Sequence, residues 1–243
     1  MKQLLFGVPV CAGKRESVLG ECRALVGRGG AVFTLNALML ERARRDAAFR
    51  ETLAAGDICT VDGVGVCLAL AARGVAAELL PGVELGEAIV ERGSPSLAII
   101  GGRDGVGAAA FSYLKARNPK IRRSFIISGY GHTEEEYLVL IRRYRPKICF
   151  VCLGSPRQED FVLKARTASP KTMFLALGGS LDIYSGRLSR APVPCRALGL
   201  EWLYRIAQEP RRLSTLPQLV SFALVTLLPS TTKNNQKSIA LGE

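Results

Sequence analysis

Residues 148–166, ICFVCLGSPRQEDFVLKAR, decide the fold because they hold an apolar run, a glycine turn and an amphipathic segment in direct succession. The apolar run at 148–153 predicts a buried strand, and the apolar positions from Phe161 to Ala165 follow at helical spacing after Gly154. A strand, a glycine turn and a helix in this order are typical of βαβ units, whose strands form a parallel sheet.

The same pattern repeats through the middle of the chain. Four apolar runs, at 97–100, 125–127, 148–153 and 173–177, lead into Gly101, Gly129, Gly154 and Gly178, which are 28, 25 and 24 residues apart. Helical spacing fills the intervals, and residues 58–61 predict an earlier strand. We therefore predict an α/β fold, a Rossmann-like body with a mostly parallel sheet flanked by helices. Right-handed crossovers bring the strand ends to one edge, where such sheets bind ligands.

The chain changes character after residue 186. From Arg187 onward it holds eight Lys and Arg residues against three acidic ones, and Trp202 and Tyr204 stand among the arginines. Basic residues interleaved with aromatic ones indicate a segment that binds an anionic interface. We predict a catalytic domain at 1–186, a short, basic, partly helical appendage that docks on a membrane at 187–229, and a disordered tail at 230–243.

Composition limits the classes of function. The 243 residues carry 33 Lys and Arg against 21 Asp and Glu, a net charge of +12 that favours phosphates or an anionic membrane surface. Seven Cys, an odd number, and an N-terminus without a secretory signal indicate a reducing cytosol rather than a disulfide framework. A single histidine, His132, argues against histidine metal clusters and Ser-His-Asp catalysis. No apolar stretch reaches the roughly 18–20 residues of a membrane-spanning helix.

Three polar side chains follow predicted strands. Asp62 comes after residues 58–61 and before a glycine, which makes its carboxylate a candidate general base at the ligand-binding edge. Thr34 and Asn36 precede a helix predicted at 37–53 and can hold a sugar hydroxyl or a diphosphate. Such residues also cap helices, and position alone favours a cap for Asp62 while leaving both roles open for Thr34 and Asn36.

Two turns after predicted strands supply candidate contacts for a nucleotide. The turn at 101–107, which includes Gly102, resembles a phosphate-binding loop but lacks the G-x-G-x-x-G spacing. Tyr130 lies in the turn after the following strand and is a further candidate for substrate binding.

Two more turns follow the last pair of predicted strands. Gly154 and Ser155 open the first, with Ser155 as the expected helix cap and Gln158 reaching back over the sheet edge. Gly179 and Asp182 belong to the second and can approach a base or ribose closely. Purely structural turns are the alternative in both places.

Metal and redox chemistry are not expected. Cys149 and Cys152 form a C-x-x-C inside a predicted strand, where a separation of three positions puts them on opposite faces, so two buried thiols are expected. No Asp-x-Asp occurs in the sequence, which leaves no common way of holding a divalent metal for a sugar-nucleotide enzyme. We predict no metal site and no cofactor.

In this arrangement the sequence resembles the WecG/TagA/CpsF family of bacterial glycosyltransferases, from about Phe33 to Leu213. The motifs that carry the resemblance are Thr34-Leu35-Asn36, Val61-Asp62-Gly63, Pro81-Gly82-Val83-Glu84-Leu85, Leu153-Gly154-Ser155-Pro156-Arg157-Gln158-Glu159, Gly178-Gly179-Ser180-Leu181-Asp182, Arg190-Ala191-Pro192, Gly199-Leu200-Glu201-Trp202-Leu203-Tyr204-Arg205 and Gln208-Glu209-Pro210-Arg211-Arg212-Leu213. Their order and spacing together are specific.

The resemblance implies an inverting, metal-independent transfer of a sugar from a UDP-sugar to a polyprenyl-diphosphate-linked acceptor, for cell-surface polysaccharide or teichoic acid. It implies that Asp62 is the general base, that Thr34 and Asn36 lie beside the reacting sugar, and that Gln158 lies near the nucleotide sugar. Arg205 and Arg212 become candidate diphosphate contacts. The implied location is the cytoplasmic face of the cell membrane, with peripheral attachment to anionic lipid; no nucleic-acid partner is expected, and homo-oligomer formation stays open.

The sequence departs from the family pattern in two places. Leu79-Leu80 stand where relatives commonly carry an arginine, and Ser214-Thr215 stand where an aromatic residue and further arginines usually follow. One or two of the diphosphate contacts that the resemblance implies therefore lack their usual residues here. Two other functions are weighed against the transferase: a nicotinamide-dependent oxidoreductase that uses the turn at 101–107, and a basic, non-catalytic module that binds a nucleotide or nucleic acid.

Overall fold

The computed structural model of the chain describes residues 2–227 and shows a six-stranded, wholly parallel sheet flanked by helices. The strands of this sheet, in spatial order, are β4 (Ile58–Val61), β3 (Gly30–Leu35), β8 (Met173–Ala176), β7 (Ile148–Cys152), β5 (Ser96–Gly101) and β6 (Arg122–Ile127). Every apolar run that leads into a turn forms one of these strands, so the predicted Rossmann-like α/β body is confirmed.

Helices connect the strands along the chain. They are α1 (Arg15–Ala24), α2 (Ala37–Arg45), α3 (Ala47–Ala54), α4 (Val64–Ala71), α5 (Gly82–Val90), α6 (Val106–Arg117), α7 (Glu134–Tyr144), α8 (Arg157–Ala168), α9 (Ser180–Tyr184), α10 (Val193–Ala197), α11 (Glu201–Gln208) and α12 (Leu216–Leu227), with a 3-10 helix at Pro210–Thr215. The 3-10 helix begins at Pro210, because proline cannot continue the hydrogen-bond ladder of α11.

Each face of the sheet has its own apolar core. Phe33 and Phe161 lie in the core on the face covered by α2, α7 and α8, whereas Phe150 and Phe111 lie in the core on the face covered by α5 and α6. Burial of a side chain of this size stabilises the fold by roughly 1.5–3 kcal/mol. The strands read as continuous apolar runs because both of their faces are covered.

The order of the strands reverses direction between β5 and β7. From β5 the chain moves outward to β6 through α6, and from β7 it moves the opposite way to β8 through α8, on the other face. Helices that leave two neighbouring strands on opposite faces open a crevice at the carboxyl ends, where open α/β sheets bind ligands. Here the crevice lies between the turns after β5 and β7.

Two local features differ from the sequence prediction. The helix predicted at 37–53 is two helices, because Asp46 adopts an extended backbone and its side chain accepts a hydrogen bond from the backbone N of Phe49, capping α3. The N-terminal residues form an unpredicted hairpin of β1 (Lys2–Leu5) and β2 (Val8–Cys11). Its turn has positive φ at both Phe6 and Gly7, the geometry that suits a two-residue hairpin loop.

The segment predicted as an appendage returns to the body. Helix α12 packs against α2 and α4, and Phe222 of α12 is buried with its ring centroid 5.8 Å from that of Phe6. Ser221 donates a hydrogen bond to the buried carboxylate of Glu41 on α2. None of the helices within residues 2–227 is both long enough and apolar enough to cross a bilayer. The predicted tail at 230–243 lies outside the described residues, as do 228 and 229.

Candidate active site

Asp62 is the first residue after β4, at the carboxyl edge of the sheet. Its backbone N donates to the carbonyl O of Leu35 at 2.8 Å, which ties it to the end of the neighbouring strand. Helix α4 is capped by Gly63, whose φ of 115° suits glycine, and no side chain forms the cap. The alternative role of Asp62 as the cap of α4 is therefore wrong.

The surroundings of Asp62 raise the pKa of its carboxyl group. Burial raises the pKa of Asp62 to about 6, and the charge of Glu201 acts in the same direction. Arg205, the backbone N–H of Gly82 and Arg190 oppose this shift. The side chain of Asp62 is half-buried and keeps part of its surface in contact with solvent. A carboxylate with this pKa is ionised at neutral pH yet basic enough to accept a proton.

Thr34 and Asn36 lie next to Asp62 because β3 and β4 are paired. The hydroxyl of Thr34 donates to the carbonyl O of Ala176 at 2.9 Å, so its lone pairs are left to accept. The Oδ1 of Asn36 accepts from the backbone N of Met39 at 3.1 Å and caps α2, so capping is part of its role. Its NH₂ group is left to donate.

Gly82 allows the helix α5 to approach these residues closely. A Cβ at this position would lie 3.3 Å from Oγ1 of Thr34 and 3.4 Å from Oγ of Ser180. Ser180 opens α9, so Gly82 is the point at which the turns after β3, β4 and β8 meet. The sequence analysis did not single out Gly82 as a site residue, because only tertiary contact reveals the close approach.

Gln158 does not lie freely over the sheet edge. It is buried, its Oε1 accepts from the backbone N of Gly178 at 3.1 Å, and its Nε2 donates to Oε1 of Glu159 at 2.7 Å. Burial raises the pKa of Glu159 to about 7, while hydrogen bonds from Gln158 and Ser155 lower it. Gln158 therefore fixes the turn after β8 to the start of α8.

The turn at Gly154 and Ser155 also differs from the prediction. Helix α8 is capped by Pro156, which follows a cis peptide bond, and not by Ser155. Ser155 instead lies near the buried Glu159 and helps to lower its pKa. Gly154 has a φ of 82°, which suits glycine, and its carbonyl O accepts the backbone N of Gln158 at 2.9 Å.

Helix α11 brings Arg205 to the cleft. A Cβ built on Gly179 would lie 3.9 Å from Nη1 of Arg205, so the guanidinium group faces the turn after β8. Arg205 also acts on the charge of Asp62, as described above. Arg212 is placed elsewhere: its Nε donates to Oε2 of Glu209 at 2.6 Å within the 3-10 helix. The structure brings Arg205, but not Arg212, to Asp62.

Arg211 is a cleft residue that the sequence analysis missed. Its bond to Glu209 raises its pKa, and the carboxylate of Asp182 is close enough to add to this effect. Asp182 itself lies in α9, with its Oδ1 3.9 Å from Nε of Arg187. Nothing in the sequence distinguishes Arg211 from Arg212, because they are adjacent in an irregular segment.

A cavity of about 180 Å³ lies at the other end of the cleft, and it is lined by Gly101, Arg103, Asp104, Gly105, Gly107, Ala108, Ile126, Ile127 and Ser128. Gly102 lies between lining residues, and its carbonyl O accepts from the backbone N of Gly129 at 2.9 Å. An adjoining open cavity includes the exposed Tyr130. Four strand spacings, ~19 Å, separate β4 from β5, so the cleft suits an elongated ligand.

The cysteine pair and the histidine are placed away from this chemistry. Cys149 lies in one core and Cys152 in the other, as expected for opposite faces of a strand, and burial raises the pKa of both thiols. The Nδ1 of His132 lies 3.6 Å from Oε1 of Glu136 in the loop before α7. Over residues 2–227 no three His, Cys, Asp or Glu side chains cluster as metal ligands do.

Leu79 and Leu80, the first departure from the family pattern, belong to the cores. Leu80 is buried, and its backbone N donates to the carbonyl O of Val61 at 2.9 Å; Leu79 packs at the edge of the other core. Ser214 and Thr215, the second departure, cap backbone carbonyls of the 3-10 helix through their hydroxyls.

Fold and site together define an α/β protein with a carboxylate, that of Asp62, and the guanidinium of Arg205 close to one another at the carboxyl ends of a parallel sheet. Over residues 3–236 the chain matches the family model described as Glycosyl transferase WecG/TagA/CpsF family, and the protein belongs to this family. It is therefore a glycosyltransferase of cell-surface polysaccharide synthesis, rather than an oxidoreductase or a nucleic-acid-binding module.

Proposed function

We propose that the enzyme transfers a sugar of the N-acetylmannosamine type from a UDP-sugar to a polyprenyl-diphosphate-linked acceptor, with inversion and without a metal ion. One observation carries the proposal: the carboxylate of Asp62, whose pKa is about 6, stands at the strand ends, and the guanidinium group of Arg205 is near enough to act on its charge. An inverting transfer needs a base on one face of the anomeric carbon and positive charge near the leaving diphosphate on the other.

In this proposal Asp62 takes the proton of the acceptor hydroxyl as that oxygen attacks the anomeric carbon. The bond between that carbon and the diphosphate oxygen breaks, and UDP leaves with its negative charge. Arg205 stabilises this charge through charge-assisted hydrogen bonds. Thr34 and Asn36 orient the sugar, since one offers lone pairs and the other an NH₂ group.

The nucleotide occupies the other end of the cleft. The cavity beside Gly102, and the exposed ring of Tyr130 next to it, offer backbone groups and an aromatic face to ribose and uracil. Gly154, Ser155, Gly179 and Asp182 border the stretch between cavity and Asp62. Gln158 contributes by fixing the turn at Gly178 rather than by a free side chain.

The appendage holds the enzyme at the cytoplasmic face of the cell membrane. Its exposed apolar side chains are Val193, Leu198, Leu200, Trp202, Leu203, Leu213, Val220, Leu224 and Leu227. Arginines lie among them, and basic groups near the surface of anionic lipid are attracted to it. Peripheral attachment at this surface would bring the cleft to a lipid-linked acceptor.

The test measures transfer from a panel of UDP-sugars to a short-chain lipid-diphosphate acceptor, with the product detected by mass spectrometry and EDTA present. We expect product with at least one donor, a rate that rises with pH through about 6, and loss of transfer with UDP binding retained in Asp62→Asn.

Asp46→Asn is the control, because Asn also caps helices and Asp46 lies between α2 and α3, away from the cleft. Transfer by Asp62→Asn at the rate of the control would overturn the role of Asp62. Turnover only after a divalent metal is added would overturn the metal-independent mechanism.

A further inference from the structure

Three arginines from distant parts of the chain converge on the carboxylate of Glu84, in the first turn of α5. Arg15 bonds to one carboxylate oxygen and Arg190 to the other. Nη1 of Arg196 lies 3.6 Å from Oε1 of Glu84. We call these four residues the Glu84 cluster. Nothing in the proposed function uses them.

The Glu84 cluster holds more positive than negative charge. Burial works to raise the pKa of Glu84, but bonds from Arg15 and Arg190 lower it, so the carboxylate is ionised at neutral pH. Three guanidinium groups therefore surround one negative charge. Two further acids lie nearby: Oε2 of Glu78 accepts from the backbone N of Arg15 at 2.8 Å, and Asp62 interacts with the charge of Arg190. Neither carboxylate is bonded to a guanidinium group of the cluster, so Glu84 alone pairs with all three arginines.

The guanidinium groups keep unused hydrogen-bond donors. Each has five N–H groups in a planar fork that matches phosphate oxygens. The Nε of Arg190 is buried without an acceptor, and the three side chains keep between 24% and 34% of their exposure, so a small anion can reach them. A buried donor without a partner is costly, and like charges held together add to the cost.

The cluster lies next to the proposed base. The backbone N–H of Gly82, two residues before Glu84, bonds to Asp62, and the charge of Arg190 lowers the pKa of Asp62. An anion at the cluster would thus lie beside the reacting groups, apart from the Gly179 turn that Arg205 faces. The proposed reaction brings two diphosphates to the site, one in the donor and one in the acceptor, and Arg205 accounts for one.

We propose that the Glu84 cluster is a second diphosphate-binding site, formed by Arg15, Arg190 and Arg196. The proposal rests on the proposed function for the identity of the substrates. Binding of a diphosphate can be measured without turnover, so the two proposals can fail separately.

Calorimetric titration of the full chain with inorganic pyrophosphate tests the site. We expect Arg15→Gln and Arg196→Gln each to weaken binding about tenfold, the effect of losing one charge-assisted contact. Arg166→Gln is the matched control: Arg166 is as exposed as Arg15 and pairs with Asp57 at 2.8 Å, outside the cluster. Wild-type affinity in both cluster variants, or equal weakening in the control, overturns the proposal.

Glu84→Gln separates an anion site from a salt bridge that only joins the appendage to the body. An anion site gains affinity for pyrophosphate when the competing carboxylate becomes neutral, whereas a purely structural bridge gains none. Circular dichroism verifies that Glu84→Gln is folded. If Glu84→Gln does not fold, the loss of pyrophosphate affinity in Arg15→Gln, which changes a residue at the start of α1, decides between the two explanations.

Competition identifies the source of the diphosphate. Displacement of pyrophosphate by farnesyl diphosphate, but not by UDP, assigns the cluster to the lipid acceptor, and the reverse assigns it to the donor. Displacement by neither overturns the proposal. If Asp62→Asn still transfers sugar while the pyrophosphate results are as expected, the proposed role of Asp62 as the base is overturned, and the proposed diphosphate site at the Glu84 cluster is retained.

Discussion

The sequence predicts the position of Asp62 but neither its role nor its pKa. An Asp before a Gly at the end of a strand predicts a carboxylate at the carboxyl edge of the sheet, and Asp62 follows β4 at that edge. The choice between cap and base depends on which residue begins α4, and the structure gives that place to Gly63. Burial raises the pKa of Asp62, and the charges of Arg205, Glu201 and Arg190 modify it. These three residues are more than a hundred positions away, so a local sequence pattern does not show their effect.

Asp62→Asn should raise the thermal stability of the protein at pH 8. The folded state holds the pKa of Asp62 at about 6, above the ordinary 3.8, so ionisation costs folding free energy as the pH rises between these values. A neutral amide avoids this cost, about 1–2 kcal/mol after allowance for solvent access. Thermal unfolding should show the gain at pH 8 and little at pH 4. A variant less stable than wild type at pH 8 would contradict the placement.

Gln158→Ala should destabilise the protein by about 1–3 kcal/mol, because it leaves the backbone N–H of Gly178 and the buried Glu159 without their partner. Urea unfolding measures the change. Gln208→Ala is the control: Gln208 also makes two bonds, to the N and O of Ser189, but near the surface, where water replaces them. Equal losses in the two variants would show that Gln158 does not fix the turn.

At the scale of elements, strands were easier to predict than helix ends and packing faces. Fully buried strands are apolar along their whole length, and their glycine turns mark the ends. The break between α2 and α3 occurs at Asp46. The surrounding residues are good helix formers, but Asp46 adopts an extended backbone and caps α3, which ends the first helix. The hairpin turn at Phe6-Gly7 lacks the Asn-Gly or Asp-Gly pair that signals such turns.

Phe222→Ala should release α12 from the body. Phe222 packs on Phe6 and lies 3.6 Å from where a Cβ on Gly65 would be, so truncation empties a buried site at a cost of about 3–5 kcal/mol. Limited proteolysis should then cut between 209 and 227 faster than in wild type. Val220→Ala is the control, since Val220 on the same helix is exposed. Equal cleavage of both variants would show that Phe222 does not hold α12.

Leu224→Glu should weaken binding to anionic vesicles several-fold, because Leu224 is on the exposed side of α12 and a carboxylate is repelled by anionic lipid. Vesicle sedimentation measures the bound fraction. Val139→Glu is the control, since Val139 is similarly exposed but lies on α7, outside the appendage. Unchanged binding of Leu224→Glu, or an equal loss in the control, would place the membrane contact elsewhere.

At the scale of the whole molecule, the sequence predicted a parallel sheet with one ligand-binding edge but not the order of its strands. That order depends on which strands pair across long connections, and apolar runs of similar composition do not encode it locally. The reversal between β5 and β7, and the distance between cavity and Asp62, follow only from the assembled sheet. The contacts of Arg190, Arg196 and Arg211 likewise depend on the assembled fold, so the sequence alone does not predict their partners.

The segment that carries Arg205 is attached to the body at both of its ends. Glu84 holds its beginning through Arg190 and Arg196, and Glu41 with the ring of Phe6 holds its end through Ser221 and Phe222. An outward movement of this segment as a free arm would first have to break one of these two sets of contacts. Together they keep the guanidinium group of Arg205 beside the turn at Gly179.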